Sequence, residues 1–241
     1  MWAAWLACGL AAACTAEGCT FEDGRGFGRV ERVTVEARVP GAVLETSRGA
    51  LVELLVFDLD VGAIELESSG SASTEPATED EHGHDHGDDG AALDAASAER
   101  WVVVIPAAFT LDALSGEPVD ADAAQAEPSR ELGPGMIDRV HVDLERARIV
   151  ARATAAGPGG PPLDIVVDRV VGGELSATTM RALSRDRAHE IALDLEILIP
   201  ATLFDGVDLA DAPAVSEAVA ARLLASELHA SFEGHEHEHD D

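Results

Sequence analysis

The chain has 241 residues, 46 of them acidic and 16 basic, for a formal charge of −30. That balance excludes binding to nucleic acid phosphates or to an anionic membrane surface, and it makes cations the natural partners. Hydrophobic residues make up 46% of the chain and aromatic ones only 4%, so one ordinary domain is affordable, with a core of Val, Leu, Ile and Ala.

Residues 1–13, "MWAAWLACGLAAA", form an uncharged apolar run. A bilayer needs about 20 such residues, so the run is too short to span and suits the apolar part of an export signal. Cys14 follows in "GLAAAC". This stretch resembles the lipobox of bacterial lipoproteins, although Ala11 stands where that family usually has leucine and no Lys or Arg precedes the run. The resemblance implies lipidation at Cys14, a mature N-terminus there, and an exported protein facing the periplasm or cell surface, held to the membrane only by its lipid. Simple secretion after Ala13 is the alternative. The three cysteines, Cys8, Cys14 and Cys19, form no disulfide framework. "DGRGFG" over 23–28 follows no strand and so fails the dinucleotide-binding context; residues 14–29 are expected to be a flexible tether.

The domain is expected over 30–232. In "VERVTVEARV", Val33, Val35, Ala37 and Val39 alternate with Arg32, Thr34, Glu36 and Arg38, the period of a half-buried strand. Residues 51–59 and 63–66 continue in that style, with a bend or bulge at Val61 and Gly62. Over 68–98 the chain is rich in Ser, Gly, Ala and acid and has no periodicity, which predicts a disordered insertion. Strand character returns at "WVVVIP" and "AAFTLDAL". "MIDRVHVDL" and "ARIVARATA" flank Glu145 and read as a hairpin turning there. "LDIVVDRVV" follows a Gly/Pro loop, and "HEIALDLEILIP" sets Ile191, Leu193, Leu195, Ile197 and Ile199 on one side. From Pro213 to Phe232 the apolar residues Val215, Val219, Leu223, Leu224 and Leu228 suggest a late helix. Short strands with turn signals and one helix predict a mainly β fold, an antiparallel β-sandwich-like domain with one C-terminal helix.

The chemistry sits in two tracts. "EHGHDHGDD" over 81–89 places His82, His84 and His86 two apart, and the tail over 233–241 ends in "GHEHEHDD", with His235, His237 and His239 at the same spacing. In extended backbone alternate side chains share a face about 6 to 7 Å apart, so a His-x-His pair can converge on one ion. The interleaved Glu81, Asp85, Asp88, Glu236, Glu238 and Asp240 can ligate, orient the imidazoles or concentrate cations. Imidazole favours Zn, Cu and Ni; Zn2+ is the first expectation, Cu2+ the second, and Ni2+ is admissible. Ordering about five residues costs roughly 1 to 2 kcal/mol each, against about 10 to 16 kcal/mol for good structural zinc sites. The several kcal/mol that remain describe a buffer or capture arm of roughly micromolar affinity. The contrasting reading is that the tracts are solvated, charge-rich segments that keep the protein soluble.

The remaining histidines carry less. His141 is expected exposed on a strand face, His189 lacks the second histidine of H-E-x-x-H because Leu193 stands there, and His229 is expected near a helix end. "DGVDLAD" over 205–211 spaces its acids unlike an EF-hand loop and reads as a turn. No G-x-S-x-G, P-loop or C-x-x-C occurs, and lysine and tyrosine are absent, so catalysis is not expected. The tracts resemble, in composition only, the His-rich loops of periplasmic zinc-binding proteins. The sequence therefore predicts an exported, lipid-anchored protein that binds divalent transition metal. The second reading is a structural or interaction lipoprotein of the cell envelope, its sheet binding another protein or a glycan; an envelope hydrolase is third.

Overall fold

The computed structural model describes residues 28–68, 101–121, 131–132, 135–155, 161–183 and 188–237. In chain order the elements are β1 (Gly28–Arg38), β2 (Val43–Glu45), β3 (Leu51–Ser68), β4 (Trp101–Asp112), β5 (Val119–Asp120), β6 (Glu131–Leu132), β7 (Gly135–Thr154), β8 (Leu163–Leu183), β9 (Ala188–Leu198), α1 (Ala212–Leu223) and β10 (Glu227–His237). The fold is mainly β, with two sheets enclosing one aliphatic core, as the alternating pattern predicts.

The first sheet runs β10-β9-β1-β5, with β6 pairing β1 beyond β5 on the same side. It is mixed, because β1 and β9 pair in parallel. The second sheet is antiparallel and runs β2-β3-β7-β8, with β4 continuing the β2 side of β3. Val33 and Val35 of β1, Leu193 and Ile197 of β9, and Phe57, Leu59, Ile64 and Ile149 of the second sheet are fully buried. Pro106 lies within β4. Its missing N–H is tolerated because, among the described strands, β4 pairs only with β3.

Strands β3, β7 and β8 have 18, 20 and 21 residues, far beyond the usual five or six. A bulge line lets them wrap the core. The register shifts between Val61 and Ile64 of β3, between Leu144 and Arg146 of β7, and between Val170 and Gly173 of β8, and β4 slips beside Pro106 at the same level. Each extra residue bends its strand and increases its twist, so aligned bulges fold the sheet across one diagonal. Gly62 sits on this line with the exposed Glu145 side chain folded over it, its carboxylate 2.5 Å from where a Cβ would stand. The bend expected at Val61 and Gly62 is therefore present.

The same line corrects the hairpin expected at Glu145. Residues 135–154 are one strand, and the break in alternation, where Glu145 and Arg146 are both exposed, is a bulge. A turn and a bulge both interrupt a period of two, and only pairing partners distinguish them: β7 holds β3 on one side and β8 on the other throughout. β8 likewise continues to Leu183, well past the segment the pattern marked.

Helix α1 begins where expected. Asp211 caps it by accepting from the Ala214 N–H at 3.2 Å, and Pro213 lies in its first turn. Val215, Val219 and Leu223 are buried, and Leu224 lies so close to Gly173 of β8 that a Cβ there would stand 2.7 Å away. Arg222 donates to the carbonyls of Leu203 and Asp205, tying the last turn to the loop before the helix. The helix does not reach Phe232. It ends at Leu223, and residues 227–237 form β10, where Leu228 is buried and His229, Ser231 and Glu233 alternate outward.

Candidate metal centre

Cys14, His82, His84, His86 and His239, with the expected signal and most of the tether, lie outside the described residues. His235 and His237 lie inside β10, so the tail expected from Glu233 begins as a strand. The internal tract belongs to the connection between β3 and β4, whose flanking residues Ser68 and Trp101 are direct partners in the ladder.

Pairing and chain continuity bring the roots of the two tracts to the same end of the domain. Trp101 pairs with Ser68, Ser68 with Ile137, and Gly135 with Leu183. A Cβ on Gly135 would lie 3.0 Å from the Ser68 hydroxyl. From Gly135 the chain leads back through two residues to β6, which pairs with Gly28 and Arg29 of β1. Leu183 leads forward through four residues to Ala188, whose ladder partner is His237. Leu132 and Gly135 are three Cα steps apart, about 11 Å at most, and His189 pairs with both Gly28 of β1 and Glu236 of β10. The ends of β3 and β10 and the start of β1 therefore gather on one rim.

On that rim the register sets a row across the first sheet. Position 235 of β10 stands opposite Glu190 of β9, and 190 stands beside Arg29 of β1, which faces Glu131 of β6. His237 pairs with Ala188 and Glu236 with His189. Along β10, residues 227, 229, 231 and 233 are exposed while 228 is buried, and no register shift interrupts the β9 pairing. Positions 235 and 237 thus continue the outward phase of the pleat. Described side chains show how close neighbours come on this face. His229 Nε2 lies 2.8 Å from Glu227 Oε1, two residues along the strand. Arg32 of β1 reaches Glu233 of β10 across Ala192, at 3.9 Å. His229 is therefore a strand residue paired with Glu196, and its expected place near a helix end is overturned.

His141 is not exposed as expected. Its side chain is only 14% exposed, with Glu174 Oε1 2.9 Å from Nδ1 and Glu67 Oε2 3.6 Å from Nε2. It lies on the outer face of β7, the strand with partners on both sides, so neighbouring side chains cover it. The two carboxylates address opposite ring nitrogens, an arrangement that bridges strands and converges on no single ion. Elsewhere on this face Arg146 donates to Asp168 at 2.6 Å and Arg152 to Asp164 at 3.1 Å, while Arg148 approaches Asp58 at 3.7 Å. The hydrogen bond with Arg146 holds the Asp168 carboxyl below its ordinary range, and the same bond raises the guanidinium.

The acids of "DGVDLAD" work as turn carboxylates. Asp205 accepts from the Ser47 N–H, Asp208 from the Ala210 N–H, and Asp211 caps α1. Among the described residues no three His, Cys, Asp or Glu side chains are grouped to hold a metal. Among the described residues two shallow concavities, of about 170 and 280 Å³, have no histidine in their lining. Glu190 beside the C-terminal tract was not legible as a neighbour, because nothing local in the sequence links β9 to β10. No protein-family model, curated protein or solved structure matches the chain.

Proposed function

We propose that the protein is an exported, lipid-anchored collector of divalent transition metal, zinc first and copper second, acting as a buffer or capture protein outside the cytoplasm. The observation that carries this reading is the His-x-His-x-His pattern with interleaved carboxylates, spelled twice in a chain of nine histidines. Alternation in extended backbone is the spacing that lets imidazoles share an ion. The formal charge of −30 concentrates cations around it. The common rim supports the same reading, since Ser68, Trp101 and His237 root both tracts beside the start of β1, where a tether over 14–29 joins the domain.

The test is zinc and copper titration by calorimetry, with metal analysis of protein purified without an affinity tag. Replacing His82, His84, His86, His235, His237 and His239 by alanine is the decisive comparison. Substitution is better than deleting 233–241, which would remove the end of β10. The expected result is roughly micromolar zinc binding that disappears in the six-fold variant. Binding that survives all six substitutions, or none in the natural chain, sinks the reading. The second reading, an envelope interaction protein whose sheet binds a protein or glycan, is favoured if the substituted chain keeps its cellular role.

A further inference from the structure

Two opposite charges with no bond between them line the concavity of about 170 Å³ where the 46–50 turn meets the 204–209 loop. We propose that this cleft binds a small zwitterion, an α-amino acid with a branched aliphatic side chain, its carboxylate held by Arg48 and its ammonium by Asp208. The site stands apart from metal capture and shares no residue with it.

Hydrogen bonds on both sides hold the cleft in shape. Arg48 lies in the turn between β2 and β3, where the Gly49 N–H donates to the Thr46 carbonyl at 2.8 Å and Gly49 takes a φ of 76°. Asp208 lies in the loop between β9 and α1. The Ser47 N–H donates to the Asp205 carboxylate at 2.8 Å and so joins turn to loop. Arg222 of α1 holds the loop through the carbonyls of Leu203 and Asp205. Asp208 Oδ1 accepts from the Ala210 N–H at 3.0 Å; a carboxylate has about four lone-pair sites, so the group can still accept from a ligand. The cleft is preformed, and a ligand entering it orders neither wall.

Arg48 differs from the arginines of the strands. Arg38, Arg139, Arg146, Arg148 and Arg152 each meet a carboxylate. Arg48 has no ion pair or hydrogen bond among the described residues, although Asp208 lines the same cleft. With 46 acidic residues against 16 basic ones, an open guanidinium is scarce, and its planar fork suits a carboxylate. A simple anion would meet Asp208 and the negative field of the whole chain. A zwitterion satisfies both charges and arrives neutral.

The rest of the lining sets the ligand's size and its third group. Phe204 is buried at the cleft, and Val207 and Leu209 pack partly buried against the core, leaving an apolar surface for an aliphatic side chain. The volume is well below the roughly 300 to 1,000 Å³ of pockets for drug-sized ligands, so the occupant is of amino-acid size and its binding weak, with a dissociation constant of about 1 mM.

The test adds leucine to the full-length chain in EDTA, which keeps metal from the histidines, and follows backbone amide shifts by NMR. Saturable shifts are expected at 46–50 and 204–209. R48Q and D208N should each weaken binding at least about ten-fold. Arg48 is exposed, and the asparagine oxygen can still accept from the Ala210 N–H, so both variants should melt with the natural chain. Truncated ligands probe the natural protein whatever the variants do: 4-methylpentanoate lacks the ammonium and 3-methylbutylamine the carboxylate, and each should bind at least about ten-fold more weakly than leucine. No saturable shift at these residues, or equal leucine affinity in R48Q and the natural chain, overturns the site. A truncated ligand that binds as tightly as leucine overturns recognition of a zwitterion. The variant with all six tract histidines replaced by alanine should bind leucine as the natural chain does, which separates failure of this site from failure of metal capture.

Discussion

The outer faces of the two sheets neutralise their acids in different ways. On the second sheet the central strand β7 carries Arg139, Arg146, Arg148 and Arg152, and each approaches a carboxylate on β3 or β8 within 3.9 Å or less. On the first sheet the outermost strand β10 has no arginine of its own; its described exposed positions are Glu227, His229, Ser231 and Glu233, and Arg32 of β1 reaches Glu233 at 3.9 Å. Guanidinium is charged at every accessible pH and ligates nothing, so the β7 pairs are closed within the protein. Imidazole is neutral near pH 7, titrates just below it and donates an electron pair to metals. The contrast teaches that β10 carries imidazole where β7 carries guanidinium, and that difference is where the proposed metal capture can be tested.

The strongest way to break this comparison is to make β10 resemble β7. Replacing His235 and His237 together by arginine should abolish zinc binding at the C-terminal tract while the chain still folds, because each guanidinium can pair with the acids of β9. Retained zinc at that tract in calorimetry would show that its imidazoles are not the ligands.

Acid should do reversibly what arginine does permanently. Imidazole must be deprotonated to bind a metal, so zinc affinity should fall steeply between pH 7 and pH 5. Affinity that is flat across that interval would rule out imidazole ligation.

Replacing 69–100 by a four-residue turn between Ser68 and Trp101 separates the tracts. The flanking residues are already ladder partners, and each halving of a flexible loop relieves about 0.6 kcal/mol. The shortened chain should therefore melt at the same temperature or a few degrees higher, keeping only the zinc bound by the C-terminal tract. A large fall in melting temperature would mean that the excised segment supports the fold.

His141→Ala tests the interior of the arginine face. It removes the imidazole between Glu67 and Glu174 and should cost no more than about 1 kcal/mol by chemical denaturation, the range of a partly exposed ion pair, with zinc titration unchanged. The smallest effect is expected for Arg146→Ala, since that pair is open to solvent. Its folded-state partner Asp168 is held below the ordinary carboxylate value, so whatever stability the pair contributes is present above that value and is lost as pH falls through the depressed one. The difference in melting temperature from the natural chain should therefore be seen at pH 7, vanish at strongly acid pH, and shrink with added salt.

Much of this architecture was legible in particular residues. Val33, Val35 and Ala37 are buried as their alternation requires, the bend at Gly62 is there, and Asp211 and Pro213 start the helix. Two errors came from patterns with two physical causes. The doublet of Glu145 and Arg146 breaks a period of two whether the strand turns or bulges, and the run through Leu223, Leu224 and Leu228 satisfies a helical spacing although Leu228, Ala230 and Phe232 also alternate as a strand. In both cases the deciding term was pairing with residues distant in the chain.

What the sequence settles by itself is local: which faces are apolar, where the helix is capped, and that imidazoles stand two apart among carboxylates in two places. Those properties follow from the repeat of the backbone and the chemistry of each side chain. The tertiary structure alone decides that β1 lies parallel to β9, that the roots of both tracts share one rim, and that Glu190 faces His235. Such adjacencies depend on the register of strands brought together by burying a common core, and hydrophobic burial is non-directional, so no short stretch of residues can specify them.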